Sequence, residues 1–132
     1  LRFVHELAEH PDWTRRDADG NGKDPLTQAM SALRRVARPG SLVVVVSDFA
    51  GFDRAAQAYL SSVARHSEVL AVFLNDPLER TLPARRDYEH AFDERLQALE
   101  KFCQRYAVHL MPMSTDDDPV STLQTALGRR TH

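Results

Sequence analysis

The chain has 132 residues, the size of one domain, and carries a formal net charge of −2 with a pI near 6.3. This weakly acidic balance argues against a general nucleic-acid binder, and no apolar run reaches the roughly 20 residues that span a bilayer. The single cysteine, Cys103, excludes an intrachain disulfide framework and fits a reducing compartment. We therefore expect a cytoplasmic domain, cut from a longer parent that could itself be membrane-associated.

The first 24 residues predict a short helix followed by a mobile polar loop. Residues 1–9 have apolar side chains at helical spacing, and "DADGNGKD" follows at residues 17–24. This stretch resembles the start of an EF-hand calcium loop. However, Gln28 stands where a bidentate glutamate is needed, and Pro25 falls inside the loop. The stretch is better explained as a connection whose last residue, Asp24, caps the next helix.

Strands alternate with helices from residue 25 to residue 130, which we assign to one α/β core. The predicted helices are 25–37, 53–65, 88–106 and 119–128, and the predicted strands are "SLVVVVSDF", "EVLAVFLNDP" and "AVHLMPM". Such alternation predicts a parallel three-stranded sheet with right-handed crossovers and helices on both sides, a three-layer fold. The continuous apolar run of the first strand indicates burial on both faces.

The helical periodicity also predicts which side chains face the core. Helix 25–37 should turn Met30 and either Val36 or Ala37 inward. The inner face predicted for helix 119–128 consists of Val120, Leu123, Ala126 and Leu127.

Polar residues follow the predicted strands, where parallel sheets usually place their sites. They are Ser47, Asp48, Asn75, Asp76, Ser114 and Thr115. At a strand end, Asp48 could hold a divalent cation or orient a nucleophile, or it could accept backbone hydrogen bonds in the turn. Thr27, in the first turn of a helix, could ligate a cation or serve the cap region. No nucleophile with a base and an orienting partner can be assembled from residue spacing.

Three stretches together carry a family resemblance: "ALRRVARPGSLVVVVSDF", "AVFLNDPLERTLP" and "LMPMSTDDDPVSTL". In order and spacing they resemble the C-terminal half of the bacterial proteins catalogued as domain of unknown function 58. The resemblance extends from about Pro25 to Arg130. It implies a von Willebrand factor A-like (vWA-like) domain, with a Rossmann-like α/β fold, associated with MoxR-type AAA+ ATPases.

The resemblance also implies a metal site that this chain has only in part. Asp48 matches the aspartate of the vWA metal motif, and Thr27 matches its threonine less securely. The D-x-S-x-S segment is absent from the chain. Mg²⁺ demands near-octahedral oxygen ligation, which one carboxylate and one hydroxyl do not provide. We therefore predict an empty site and no cofactor here, although the parent could bind Mg²⁺ or Mn²⁺.

Two functions follow as hypotheses. The first is a non-catalytic interaction module that acts with a MoxR-type ATPase in assembly or chaperone-like work. Its contact residues would be Ser47, Asp48, Phe49, Phe52 and Asp76. Burial of the two phenylalanines under the next helix is an equally weighted alternative. The second hypothesis is a small hydrolase or phosphotransfer enzyme that uses Asp48, with Asp76 and Thr115 nearby.

The strand at residues 42–47 is expected to lie at an edge of the sheet, because the strand that the resemblance implies beside it is not in the chain. An apolar edge strand is prone to pair with other strands. We expect it to pair with a second copy of the chain or to be covered by residues 1–9. No nucleic-acid partner and no membrane segment are predicted.

Overall fold

The computed structural model describes residues 24–77 and 85–128 together with Glu9. The chain order is α1 (Pro25–Val36), β1 (Leu42–Ser47), α2 (Arg54–Ala64), β2 (Glu68–Asn75), α3 (Arg85–Tyr106), β3 (His109–Ser114) and α4 (Pro119–Gly128). The predicted helix at residues 1–9 and most of the predicted loop lie outside the described residues. The predicted division into residues 1–24 and a core of 25–130 remains a prediction.

The helix starts follow from the capping residues that the sequence shows. The side chain of Asp24 accepts a hydrogen bond from the backbone N–H of Leu26 at 2.9 Å, and Pro25 occupies the first turn. Several boundaries differ from prediction by one to three residues, as at the starts of α3 and β3. Helix α3 begins at Arg85 instead of residue 88. Strand β3 begins at His109 instead of residue 107, because Ala107 adopts a left-handed conformation with φ of 54° that ends the helix first.

The three strands form one parallel sheet in the order β1-β2-β3, which confirms the predicted fold class. In the register of β1 with β2, Val44 lies beside Leu70 and Val46 beside Val72. Because all strands are parallel, their carboxyl ends lie along one border of the sheet. We call this border, with the loops that leave it, the tip surface.

The sheet has two unequal apolar layers. The larger lies between the sheet and helices α1, α2 and α3, with Phe73, Leu60 and Leu99 almost fully buried. The smaller lies under α4 and joins Leu70 and Val72 to residues of β3. The result is a three-layer, Rossmann-like arrangement of helices, sheet and helix.

The prediction that β1 is covered on both faces was wrong. Val43 and Val45 are buried against the larger layer. Leu42, Val44 and Val46, on the other face, are 54%, 48% and 58% exposed. Helix α4 contacts β3 and does not extend over β1 among the described elements. An apolar run alone cannot distinguish a central strand from an edge strand with one bare face.

Two residues assigned to the core in α4 were assigned wrongly, whereas α1 fits one of the two alternatives predicted for its end. Val120 and Leu127 of α4 are exposed, whereas Leu123 and Ala126 pack on the smaller layer. At the end of α1, Ala37 packs on the core and Val36 is exposed. Helix α4 lies over a sheet face only two strands wide, which leaves room for fewer inward side chains. Among the described residues, no helix combines the length and apolarity needed to cross a membrane.

Candidate functional site

The tip surface is rich in carboxylates. The aspartates that lie on it or cap the helices that start there are Asp24, Asp48, Asp53, Asp76, Asp116, Asp117 and Asp118. The described cations on or beside this border include Arg54, at the start of α2, and Arg86 and Arg95 of α3. Among the described residues, carboxylates therefore outnumber cations on this border.

The loop after β1, residues 47–53, is held by a dense set of hydrogen bonds. The Ser47 hydroxyl accepts from the N–H of Phe49 at 3.0 Å, and the Asp48 carboxylate accepts from the N–H of Ala50 at 3.0 Å. From α3, Arg95 donates to the carbonyl oxygen of Asp48 at 3.2 Å. These contacts fix the backbone of the loop and leave the Asp48 side chain exposed.

The two phenylalanines of this loop lie inward. Phe49 is 1% exposed, and its ring packs on Phe73, with centroids 6.4 Å apart, and edge-on against Phe52. Phe52 is half-buried and also meets Phe102 edge-on at 5.1 Å. Phe49 is therefore a core residue, which is the second of the two interpretations that the sequence left open. Of the two phenylalanines, only the half-buried Phe52 remains partly available for contact with a partner.

Thr27 does not pair with Asp48. Its hydroxyl donates to Oδ1 of Asp53 at 3.1 Å, and the residue is 3% exposed. The same carboxylate oxygen accepts the N–H of Ala56 at 2.8 Å, so Asp53 is the N-cap of α2 and also ties α1 to α2. The hydroxyl predicted as a metal ligand therefore serves a contact between two helix starts.

This donor set does not fit the metal that the resemblance implied. With Thr27 engaged by Asp53, the chain contributes a single matching carboxylate, Asp48, whereas Mg²⁺ requires several oxygen ligands. Across residues 24–77 and 85–128, no three side chains of His, Cys, Asp or Glu are grouped as metal ligands. Of the calcium-like stretch, only Asp24 is described, and it caps α1.

The ends of β2 and β3 are also joined by hydrogen bonds. Asn75 donates from its side chain to the carbonyl of Met113 at 3.1 Å and accepts the N–H of Thr115 at 2.9 Å. Asp117 accepts the N–H of Ser114 at 2.8 Å. These are turn contacts, so the polar residues predicted at these strand ends mainly support the loops. Asp76, the residue directly after β2, is half-buried.

Two capping carboxylates on this border have lowered pKa values. The N–H of Ala56 is the main cause that holds the pKa of Asp53 below its ordinary value of 3.8, with help from the Thr27 hydroxyl. Hydrogen bonds from the side chain and then the backbone of Ser121 lower the pKa of Asp118. Both groups are therefore ionised caps at neutral pH.

We expect the free energy of unfolding to decrease as pH falls below about 4. A carboxylate with a lowered folded-state pKa stabilises the fold above its unfolded-state pKa and loses that contribution as pH falls through the folded-state value. Urea denaturation of wild type and Asp53→Asn between pH 7 and pH 2.5 tests this. Asparagine also caps helices, so the variant should remain close to wild type at pH 7 and show a shallower acid slope. Identical slopes would contradict the assignment.

Sequence reasoning missed Asp53, Gly51 and Arg95 as parts of this border. Asp53 had a signal, since an aspartate before an amphipathic helix predicts a cap. Gly51 adopts φ of 72°, and a Cβ there would lie 2.1 Å from Oδ2 of Asp24. The close approach of Gly51 to Asp24 joins segments 27 residues apart, so no local pattern predicts it. The Arg95 contact depends on the tertiary position of α3.

Comparison with known proteins gives one match. No curated protein and no solved structure matches the chain. A family model described as "Protein of unknown function DUF58" matches residues 1–100. The match includes β1, β2 and the 47–53 loop and covers more than half of the 132 residues. The chain therefore belongs to the DUF58 family of proteins of unknown function.

Proposed function

We propose that this chain is a non-catalytic protein-interaction module that presents its tip surface to a partner protein. The observation that carries the proposal is the 47–53 loop. Its backbone is fixed by contacts from Ser47, Asp48 and Arg95, while the Asp48 carboxylate faces solvent. A rigid loop with an outward charge suits recognition, because little conformational entropy is lost on binding.

The chemistry of the surface defines the partner. In the part of this border that the structure describes, carboxylates outnumber cations. A complementary partner therefore carries a basic face, and the association should be faster at low ionic strength. The family resemblance supports a MoxR-type AAA+ ATPase as that partner, in assembly or chaperone-like work. The vWA-like character of the domain belongs to the same proposal.

The present geometry supports binding better than catalysis. The carboxylates of Asp53 and Asp118 are occupied as helix caps, and that of Asp117 by a turn N–H. The lowered pKa values of Asp53 and Asp118 favour their charged forms, which is opposite to what a general acid requires. Under the enzyme hypothesis, the nucleophile would be the exposed carboxylate of Asp48. In the structure this carboxylate accepts a hydrogen bond from the N–H of Ala50.

The test is binding of the purified chain to the MoxR-type ATPase from the same genome, measured by biolayer interferometry. We expect Asp48→Ala to weaken binding at least tenfold while its circular dichroism and melting temperature stay close to those of wild type. Glu100→Ala is the matched control. It removes an exposed carboxylate from the C-terminal half of α3, which lies away from the tip surface. Equal affinity of both variants would contradict the role of Asp48. Hydrolysis of p-nitrophenyl phosphate that Asp48→Ala abolishes would favour the enzyme.

A further inference from the structure

A groove of about 440 Å³ separates the 47–53 loop from helix α3, on the flank of the tip surface. Its wall on α3 carries the small side chains of Ala91 and Ala98, which lie two turns apart on one face of the helix. The loop contributes Phe52, which is half-buried and packs edge-on against the core residue Phe49. The two alanines leave room beside the accessible part of the Phe52 ring.

The lining of the groove is more acidic than basic. It includes the carboxylates of Asp53 and Glu94 and a single cation, the guanidinium of Arg95. Arg95 donates a hydrogen bond to the carbonyl oxygen of Asp48 at 3.2 Å, so its guanidinium is already engaged by the loop. Two carboxylates against one engaged guanidinium favour the entry of a further cationic group.

Both carboxylates can accept hydrogen bonds from such a group. The hydrogen bonds described for Asp53 use Oδ1, whereas a carboxylate can accept about four. The N–H of Ala56 is the main cause that lowers the pKa of Asp53, which keeps this group charged at neutral pH. Oε1 of Glu94 lies 3.5 Å from Nδ1 of His90, but both side chains are exposed, and a surface pair of this kind is weak.

An arginine side chain matches this combination of an aromatic ring, small apolar residues and two carboxylates. Its aliphatic stem can lie along apolar surface, and its planar guanidinium stacks on aromatic rings and donates several N–H groups to carboxylates. An acidic side chain would be repelled by Asp53 and Glu94. A purely apolar one would remove their charges from water without supplying a partner. A lysine ammonium is more strongly hydrated and lacks the planar fork, so it fits less well.

We infer that this groove receives an arginine of the partner protein, whose guanidinium bonds the carboxylates of Asp53 and Glu94 and whose stem packs on Phe52. The inference rests on the proposed function, because it names the group on the basic face of the partner that this side of the tip surface recognises. Asp48 does not line the groove, so its carboxylate and the groove are two separate contacts of one interface.

An NMR titration of the isotope-labelled chain with N-acetyl-arginine amide tests the groove. N-acetyl-citrulline amide is the control ligand, since it has nearly the same shape and no charge. We expect the arginine amide to shift the signals of residues 51–53, Ala91 and Ala98, and to bind about fivefold more tightly than the citrulline amide. Glu94→Gln should remove most of that difference, and Ala98→Leu, which fills the groove, should abolish the shifts.

Glu100→Gln is the matched control variant. It removes an exposed carboxylate from the same helix but outside the groove, so it should bind the arginine amide like wild type. Equal affinities for the two amides, or shifts that Glu94→Gln and Ala98→Leu leave unchanged, overturn the inference. Tighter binding of free L-arginine than of the blocked amide also overturns it, because the groove would then be a site for a small molecule.

Binding to the ATPase separates this inference from the proposed function. If Asp48→Ala weakens that binding and Glu94→Gln does not, the tip surface is the interface and the inferred arginine contact is wrong. If both variants weaken it and Glu100→Gln does not, both are supported. If the wild-type chain does not bind the ATPase, the proposed partner is wrong, and the amide titration alone decides whether the groove is an arginine site.

Discussion

Replacement of Phe49 by alanine is expected to lower the free energy of unfolding by about 3–5 kcal/mol, the range for a fully buried phenylalanine. The ring is 1% exposed and contacts Phe73 and Phe52 in the larger apolar layer. Its removal leaves a cavity beside β2 and α3. Urea denaturation monitored by circular dichroism measures the change.

Phe52→Ala is the matched control for this prediction. It removes a neighbouring ring of the same size from the same loop, but Phe52 is only half-buried, so the loss should be distinctly smaller. The comparison separates the two interpretations of the loop that the sequence permits. A loss below about 1 kcal/mol for Phe49→Ala would mean that this ring is not part of the core and would restore it as a contact residue.

The fold could be predicted from sequence because its signals are local. Asp24 before Pro25 predicts a helix start, and the β-branched run "LVVVVS" predicts a strand. Strands separated by amphipathic helices then leave a parallel sheet as the simplest arrangement. The exposure of Val44 and Val46 could not be predicted, because it depends on which strand lies at the edge and on how far α4 extends.

The candidate site was predictable only in its location. The rule that sites lie at the carboxyl ends of parallel strands correctly placed Asp48 on that border. The partnership of Thr27 could not be predicted, since its hydrogen bond to Asp53 joins residues 26 positions apart. The direction of the Phe49 side chain could not be predicted either. Its backbone has a φ of 54°, which is unusual for a residue other than glycine, and its ring lies in the core.

Gly51→Ala is expected to lower the free energy of unfolding by about 2–4 kcal/mol. The residue has φ of 72°, a region that costs an alanine about 1–2 kcal/mol. The new methyl group would also lie 2.1 Å from Oδ2 of Asp24, so that side chain must move. Because Asp24 caps α1 through the N–H of Leu26, its displacement adds the loss of a cap, about 0.5–2 kcal/mol.

Gly40→Ala isolates the first of these contributions, the backbone cost of a positive φ. Gly40 has φ of 80°, but no atom lies within 4 Å of the position its Cβ would take. This variant should therefore lose only the backbone contribution, about 1–2 kcal/mol. The difference between the two variants measures the contact that joins the 47–53 loop to the start of α1. Removing the cap first, in Asp24→Ala, should make the two glycine variants nearly equal. If Gly51→Ala stays more costly in that background, another contact restricts the loop.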